Sequence, residues 1–151
     1  MLARNKSGRT LLEYINIEEN KINNYENVTG AFAILKVKDK YVVGYNSWRE
    51  QWEFPAGRID AGETAREAAI RELYEETHQQ NENLTFKGLF KVEDAKGNLK
   101  YQAIFVCEQE QLTPFEYSDG DEMLEIKLWD MKENIGYVDE CDLKIAQIVC
   151  N

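Results

Sequence analysis

Proline is scarce: Pro55 and Pro114 are the only two in 151 residues. No proline-rich linker therefore divides the chain, and no repeat or low-complexity tract does so either. Histidine occurs once, at His78, and the three cysteines (Cys107, Cys141 and Cys150) form no C-x-x-C pair. That excludes the common zinc sites and a disulfide framework, and it points to reduced, mostly buried thiols. No apolar run approaches the ~20 residues that cross a bilayer, and the N-terminal MLARNKSGRT is polar with no hydrophobic stretch behind it. A membrane partner is thus not expected, and a cytoplasmic location follows by default. Positive charge is also short: 18 Lys and Arg face 28 Asp and Glu, a net charge of -10. Such a surface repels a phosphate backbone, which excludes an extended nucleic-acid partner and obliges any phosphorylated ligand to meet cations gathered locally.

What remains is a composition with 43% hydrophobic and 30% charged residues, enough apolar material for one core and too much for extended disorder. A single domain over 1–151 is expected, with 1–27 left open in structure: Leu11 to Asn24 has mixed apolar spacing that suits a short strand, a helical turn, or both. From Val28 to Val37 the chain is apolar, continuous and rich in β-branched residues, as a strand buried on both faces requires. A turn at Asp39-Lys40 and a second strand from Tyr41 to Tyr45 follow. Gln51 to Phe54 is biased to extended structure by Pro55, and Ala56 to Gly62 reads as a loop. Leu84 to Val92 and Leu99 to Cys107 flank a turn at Gly97 as a hairpin, Met123 to Met131 is a further strand, and the apolar residues behind Asp139 and Asp142 predict a closing helix.

The chemistry concentrates in one predicted helix. Thr64 and Glu67 have the spacing of a capping box, so a helix starts there and runs to about His78, with Ala65, Ala69 and Leu73 as its apolar stripe. At about 100° per residue, Glu72, Glu75 and Glu76 fall within an arc of roughly 100°. Like charges at these spacings repel by about 0.2–0.5 kcal/mol per pair, so the cluster weakens the helix unless a cation offsets it. Three carboxylates without cysteine or histidine suit a hard divalent cation such as Mg2+, with Mn2+ also accepted. A solvated face, with Arg71 paired to Glu67 or Glu75, is the alternative from the helix alone.

Upstream residues decide between them. The stretch GRIDAGETAREAAIRELYEE, from Gly57 to Glu76, resembles the Nudix box, G-x5-E-x7-R-E-U-x-E-E-x-G-U with U apolar: Gly57, Glu63, Arg71, Glu72, Leu73, Glu75 and Glu76 all match in register. His78 and Gln79 depart from the box, standing where it has glycine and an apolar residue. Without a C-cap glycine, the helix is expected to run on or end differently, at about Asn81.

The resemblance implies an α/β fold, the Nudix-type α/β/α sandwich with a mixed sheet, and hydrolysis of the diphosphate linkage of a nucleoside diphosphate derivative: a nucleoside triphosphate, a nucleotide sugar or an ADP-ribose-like molecule. It implies that Glu72, Glu75, Glu76 and the backbone carbonyl of Ala56 hold metal, with Gly57, Glu63 and Arg71 structural. A homodimer is a further expectation, with the N-terminal segment as a candidate interface. The diphosphate bond is shielded by its own negative oxygens, so a base must act on a water whose pKa the metal has lowered. Glu75 is the first candidate. The second lies in the acidic stretch of Asp119, Asp121, Glu122 and Glu125, where Glu122 is preferred. Arg49 and Arg58 flank the box with guanidinium groups suited to phosphate. Tyr45, Trp48, Trp52 and Phe54 could stack on a base or fill the core. The stretch from Glu53 to Gly57 also resembles nucleotide-sugar and ADP-ribose pyrophosphatases, although a proline those enzymes often carry beyond the box is missing near Glu93-Asp94-Ala95-Lys96. Two rival functions remain: a catalytically silent nucleotide-binding regulator, and an isoprenoid diphosphate isomerase, which needs a catalytic cysteine.

Overall fold

The computed structural model describes residues 1–150. The continuous apolar run forms β3 (Val28–Val37), and its alternation sorts its side chains into two layers. Ala31, Ala33 and Leu35 face α1 (Ala65–Thr77), where they meet Ala68, Ala69 and Leu73. Phe32 and Ile34 face the other way, onto Cys141, Ile145 and Ala146 of α2 (Glu140–Val149). Small residues on the α1 face let that helix lie close to the sheet; larger ones on the opposite face fill the space under α2. A helix on each face of one sheet is the expected α/β/α sandwich.

Seven strands form the main path of the sheet. β1 (Ala3–Arg4), β2 (Thr10–Ile15), β7 (Thr85–Glu93) and β8 (Leu99–Gln109) lead to β3, followed by β4 (Lys40–Asn46) and β5 (Gln51–Glu53). Among the described strands β3 and β8 alone pair with each other in parallel, so the sheet is mixed. The predicted hairpin of β7 and β8 forms, with Gly97 at positive φ in its turn. The N-terminal segment proves to be both alternatives at once: strand β2 at the sheet edge, then a 3-10 helix over Glu19–Asn24. Arg66 of α1 clamps that helix, donating from Nε and Nη2 to the two Glu19 oxygens at 3.0 and 2.7 Å.

Two departures bear on function. Ala56 to Gly62 is not loop throughout: Ala56–Arg58 forms β6, antiparallel to the first half of β3. The apolar pattern missed it because a strand of three residues carries no readable alternation. Its pairing ties the start of the Gly57–Glu76 stretch to the most buried strand. Second, β9 (Met123–Trp129) pairs antiparallel with β4, which draws the acidic stretch before Met123 to the end of β4.

Candidate active site

The carboxylate helix starts as its sequence demands. Thr64 Oγ1 accepts the Glu67 N–H at 3.1 Å and Glu67 Oε1 accepts the Thr64 N–H at 2.9 Å, so the capping box closes both ways. The apolar stripe is buried against β3, leaving Glu72, Glu75 and Glu76 along the side that faces β6. There, Gly57 leaves the Glu72 carboxylate its place: a Cβ on it would collide with that carboxylate.

At the other end, His78 corrects the expectation of a longer helix. The helix stops at Thr77, and His78 itself adopts the left-handed cap conformation, φ 62°, with its N–H donating to the Tyr74 carbonyl at 2.8 Å. Histidine thus performs the backbone task of the family's glycine, and its ring packs against Phe115, with centroids 4.6 Å apart. Gln79, expected to be apolar by the pattern, is fully buried but satisfied. Its Oε1 accepts the Thr113 N–H at 2.8 Å and its Nε2 donates to the Thr113 carbonyl at 2.8 Å.

Arg71 organises the near side of the site. Its Nε and Nη2 grip both oxygens of Glu63 at 2.8 and 3.0 Å, and Nη2 also donates to the Arg58 carbonyl at 2.8 Å. Nη1 reaches Glu72 at 2.6 Å and Glu75 at 3.1 Å. Hydrogen bonds from Arg71, then from the Asp60 N–H, hold Glu63 down at about 2. Glu63 in turn is the first of the partners that hold Arg71 charged at any working pH. One guanidinium therefore aims two carboxylates of the helix and ties them to the preceding turn.

Glu76 lies deepest. Its Oε1 accepts the Ala56 N–H at 3.0 Å, and burial pushes its carboxyl well above the usual range, with Glu72, Glu122 and Glu53 adding negative charge beside it. Burial, followed by the charges of Glu75 and Asp60, likewise raises Glu72 against the pull of Arg71. Buried, crowded carboxylates of this kind are stable as anions only with a cation among them. An all-oxygen donor set fits a hard divalent ion. Among the described residues, no three His, Cys, Asp or Glu side chains converge closely enough to hold a metal ion by themselves.

Opposite the helix, the fold brings up Glu122. Asn46, fully buried at the end of β4, donates from Nδ2 to Glu122 Oε1 at 2.6 Å and to Glu53 Oε1 at 3.1 Å. Arg49 spans the same pair, bidentate to Glu53 at 2.7 and 3.0 Å and bonded to Glu122 at 2.7 Å. Burial alone would raise Glu53, but the hydrogen bonds from Arg49, Gln51 and Asn46 outweigh it and hold the carboxylate below its ordinary value. Glu122 and Asp121 line a cavity of about 260 Å³ with Glu72, Glu75, Glu76 and Trp48. Asp119 and Glu125 do not line it. Sequence reading overlooked Asn46 and gave Glu53 no role, since the network that employs them is assembled by the β4–β5 hairpin together with the β4–β9 register.

A larger cavity, about 780 Å³, opens on the other side of Glu53, Ala56 and Gly57. Arg49 and Arg58 both border it, so the two predicted arginines flank the site, although Arg49 already carries two carboxylates. Of the four aromatics, Trp52 and Phe54 belong to the core, Tyr45 packs edge-on against Trp52, and Trp48 is 68% exposed.

Comparison with known proteins bears on the fold and the family. Nudix hydrolase 5 of Arabidopsis thaliana is 32% identical over 104 residues, which cover 66% of this chain and 34% of the relative, so the chain spans about a third of that protein's length. Among solved structures, the Bacillus subtilis pyrophosphohydrolase BsRppH superposes with a TM-score of 0.75 at 19% identity, covering 98% of this chain and 92% of that one. The NUDIX domain of Shewanella oneidensis NrtR, complexed with ADP ribose, gives 0.65 at 16% identity over 87% and 95%. At such identities the superpositions speak for the fold alone. The family model for the NUDIX domain matches residues 26–145, most of the chain and all of the carboxylate site, and on that match, with box and fold in register, the chain belongs to the Nudix family.

Proposed function

We propose that this chain is a metal-dependent pyrophosphohydrolase that cleaves the diphosphate linkage of a nucleoside diphosphate derivative. The observation that carries the reading is the crowding of Glu72 and Glu76, two carboxylates raised by burial, beside a cavity shared with Glu75 and Glu122. Glu72, Glu75, Glu76 and the Ala56 carbonyl would hold Mg2+, with Mn2+ a workable substitute. Bound there, the ion would neutralise phosphate oxygens and lower the pKa of a water.

The protein's own part is positioning and proton transfer. Arg71 fixes Glu72 and Glu75, and Gly57 allows Glu72 its place. Two carboxylates that line the small cavity can take the proton from the attacking water. Glu75 is one, half exposed and steered by Arg71; Glu122 is the other, with Oε1 fixed by Asn46 and Arg49. Arg58 at the mouth of the larger cavity is suited to receive phosphate charge not met by metal.

The rival readings fare worse. A silent regulator has no use for an intact set of box glutamates. An isomerase lacks its cysteine, because Cys107 is buried in the core and its thiol is pushed up by that burial to about 12. The three cysteines are all free thiols, which suits a reducing cytoplasmic compartment.

The test is a panel of nucleoside triphosphates, nucleotide sugars and ADP-ribose incubated with Mg2+ or Mn2+, with the products resolved by chromatography. Metal-dependent cleavage at a diphosphate bond is expected, reduced by about a hundredfold or more in Glu76→Gln. Comparing Glu75→Gln with Glu122→Gln then identifies the base: its loss lowers kcat by about 100- to 10,000-fold and removes the acidic limb of the pH–rate profile. Undiminished turnover in both Glu75→Gln and Glu76→Gln would rule out the metal-site reading.

A further inference from the structure

Glu75 and Glu122 both line the small cavity as candidates for the base, and their hydrogen bonds set them apart. Arg71 Nη1 stands against both oxygens of Glu75, at 3.1 and 3.3 Å. Glu122 is held through one oxygen alone. Its Oε1 accepts Asn46 Nδ2 at 2.6 Å and Arg49 Nη2 at 2.7 Å, and no hydrogen bond from another described residue engages Oε2. The backbone is fixed as well, since the Glu122 carbonyl accepts the Ser47 N–H at 3.1 Å and the Ser47 hydroxyl at 3.2 Å. A carboxylate anchored in this way is held in one orientation and keeps an oxygen for the proton of a water.

The two anchors are themselves fixed. Asn46 is fully buried at the end of β4 and uses both ends of its amide. Oδ1 accepts the Trp48 and Arg49 N–H groups at 2.9 and 3.0 Å, which sets the turn into β5, while Nδ2 donates to Glu122 and to Glu53. Of the side chains this short, only asparagine supplies an acceptor and a two-proton donor together. Arg49 leaves from the same turn. Its Nε and Nη2 grip both oxygens of Glu53, a buried carboxylate of β5, and Nη2 reaches on to Glu122. Arg49 borders the larger cavity, yet its charge is already met by two carboxylates of the protein. A ligand phosphate would have to compete with both of them for the guanidinium.

We infer that Asn46 and Arg49 are positioning residues that act through Glu122, that Glu122 is the base for the attacking water, and that Arg49 is a strut rather than a phosphate ligand. This role rests on the proposed hydrolase activity and supplies its base. In the step, the water oxygen bonds to one phosphorus as its proton passes to the Glu122 carboxylate. The bond from that phosphorus to the bridging oxygen breaks, and its electron pair leaves on the second phosphate group. Loss of a strut for the base is felt in kcat, whereas loss of a phosphate ligand is felt in KM.

Steady-state kinetics on the compound of the panel that is cleaved fastest, with each variant's fold checked by its melting curve, provides the test. Asn46→Asp keeps the shape and the acceptor of the turn but loses both donors. Arg49→Ala and Asn46→Asp should each lower kcat by about tenfold or more and leave KM within about twofold. Added to Glu122→Gln, either should lower kcat by less than about twofold further, because a positioning residue has nothing to act on once its carboxylate is gone. A merely structural role would cost as much in that background as in the native protein. Additive losses, a wild-type kcat in Glu122→Gln, or an Arg49→Ala protein with KM raised about tenfold and kcat retained overturns the assignment. The Arg49 side chain is half exposed, so its variant decides the matter should Asn46→Asp fail to fold. In each of these outcomes cleavage by the native protein leaves the hydrolase reading standing, and a native protein that cleaves no compound of the panel loses that reading and the base with it.

Discussion

Gly57 sits so close to Glu72 that no side chain fits between them: a Cβ at position 57 would occupy the space of the carboxylate itself. Gly57 is pinned by its β6 pairing to Ala31, so the strand cannot easily retreat. Gly57→Ala should therefore displace the carboxylate end of Glu72 from the site, with little loss of stability because the end of that side chain can swing away. A displacement of about 1 Å at a catalytic group lowers kcat by about a hundredfold. Steady-state kinetics on a variant whose melting curve is still cooperative checks this. A variant with full kcat would show that the carboxylate tolerates displacement.

Arg71 links Glu63, Glu72, Glu75 and the Arg58 carbonyl, a geometry that a single ammonium cannot reproduce. Arg71→Lys is expected to lower kcat by about tenfold or more with little change in fold, as seen by circular dichroism.

The Glu63 arm of the same pair has a pH signature. Its carboxyl is lowered from 4.5 to about 2 in the folded protein, so its contribution to stability is fully present above about 4.5 and is lost as pH falls towards 2. Urea midpoints of the native protein and Glu63→Gln should differ at pH 5 and converge near pH 2. A gap that stays constant across that window would show that the ion pair contributes nothing to folding.

Glu76 predicts the reverse slope. Its folded-state pKa is raised by burial, so the unfolded state ionises first, and metal-free stability declines as pH rises above the ordinary value of 4.5. Asp142, also raised by burial with Asp139 and Glu53 beside it, adds to the decline in the native protein. Glu76→Gln should therefore have the shallower fall in melting temperature between about pH 5 and about pH 8. Mg2+ should stabilise the native protein and leave the variant nearly unmoved. Identical slopes, measured by scanning fluorimetry without metal, would contradict the assignment.

Gln79 gives a stability test remote from the chemistry. Its side chain satisfies the Thr113 N–H and carbonyl within the protein, so Gln79→Ala strands both and should cost about 1–3 kcal/mol in chemical denaturation. Gln79→Leu restores the apolar residue of the family pattern but leaves the same groups unpaired, and it is expected to be destabilising as well.

The helix and its carboxylate face were legible in the sequence because they are local. The capping box, the apolar stripe and the convergence of Glu72, Glu75 and Glu76 follow from a periodicity of 3.6 residues, and the register of Gly57, Glu63 and Arg71 with them is a matter of spacing. The central strand was equally plain, since burial on both faces demands an unbroken apolar run. His78 misled, because a positive φ is cheapest for glycine but is imposed here by packing and by the Tyr74 carbonyl. Only the tertiary structure decided which carboxylates would be buried. It also decided that Asn46 and Arg49 would hold Glu122, and that Gln51 and Asp142, whose partners lie 88 residues along the chain, would share one cavity. Those choices depend on strand register between distant segments, β4 against β9 and Trp52 against Val138, and no residue's type announces the neighbour it meets across a sheet.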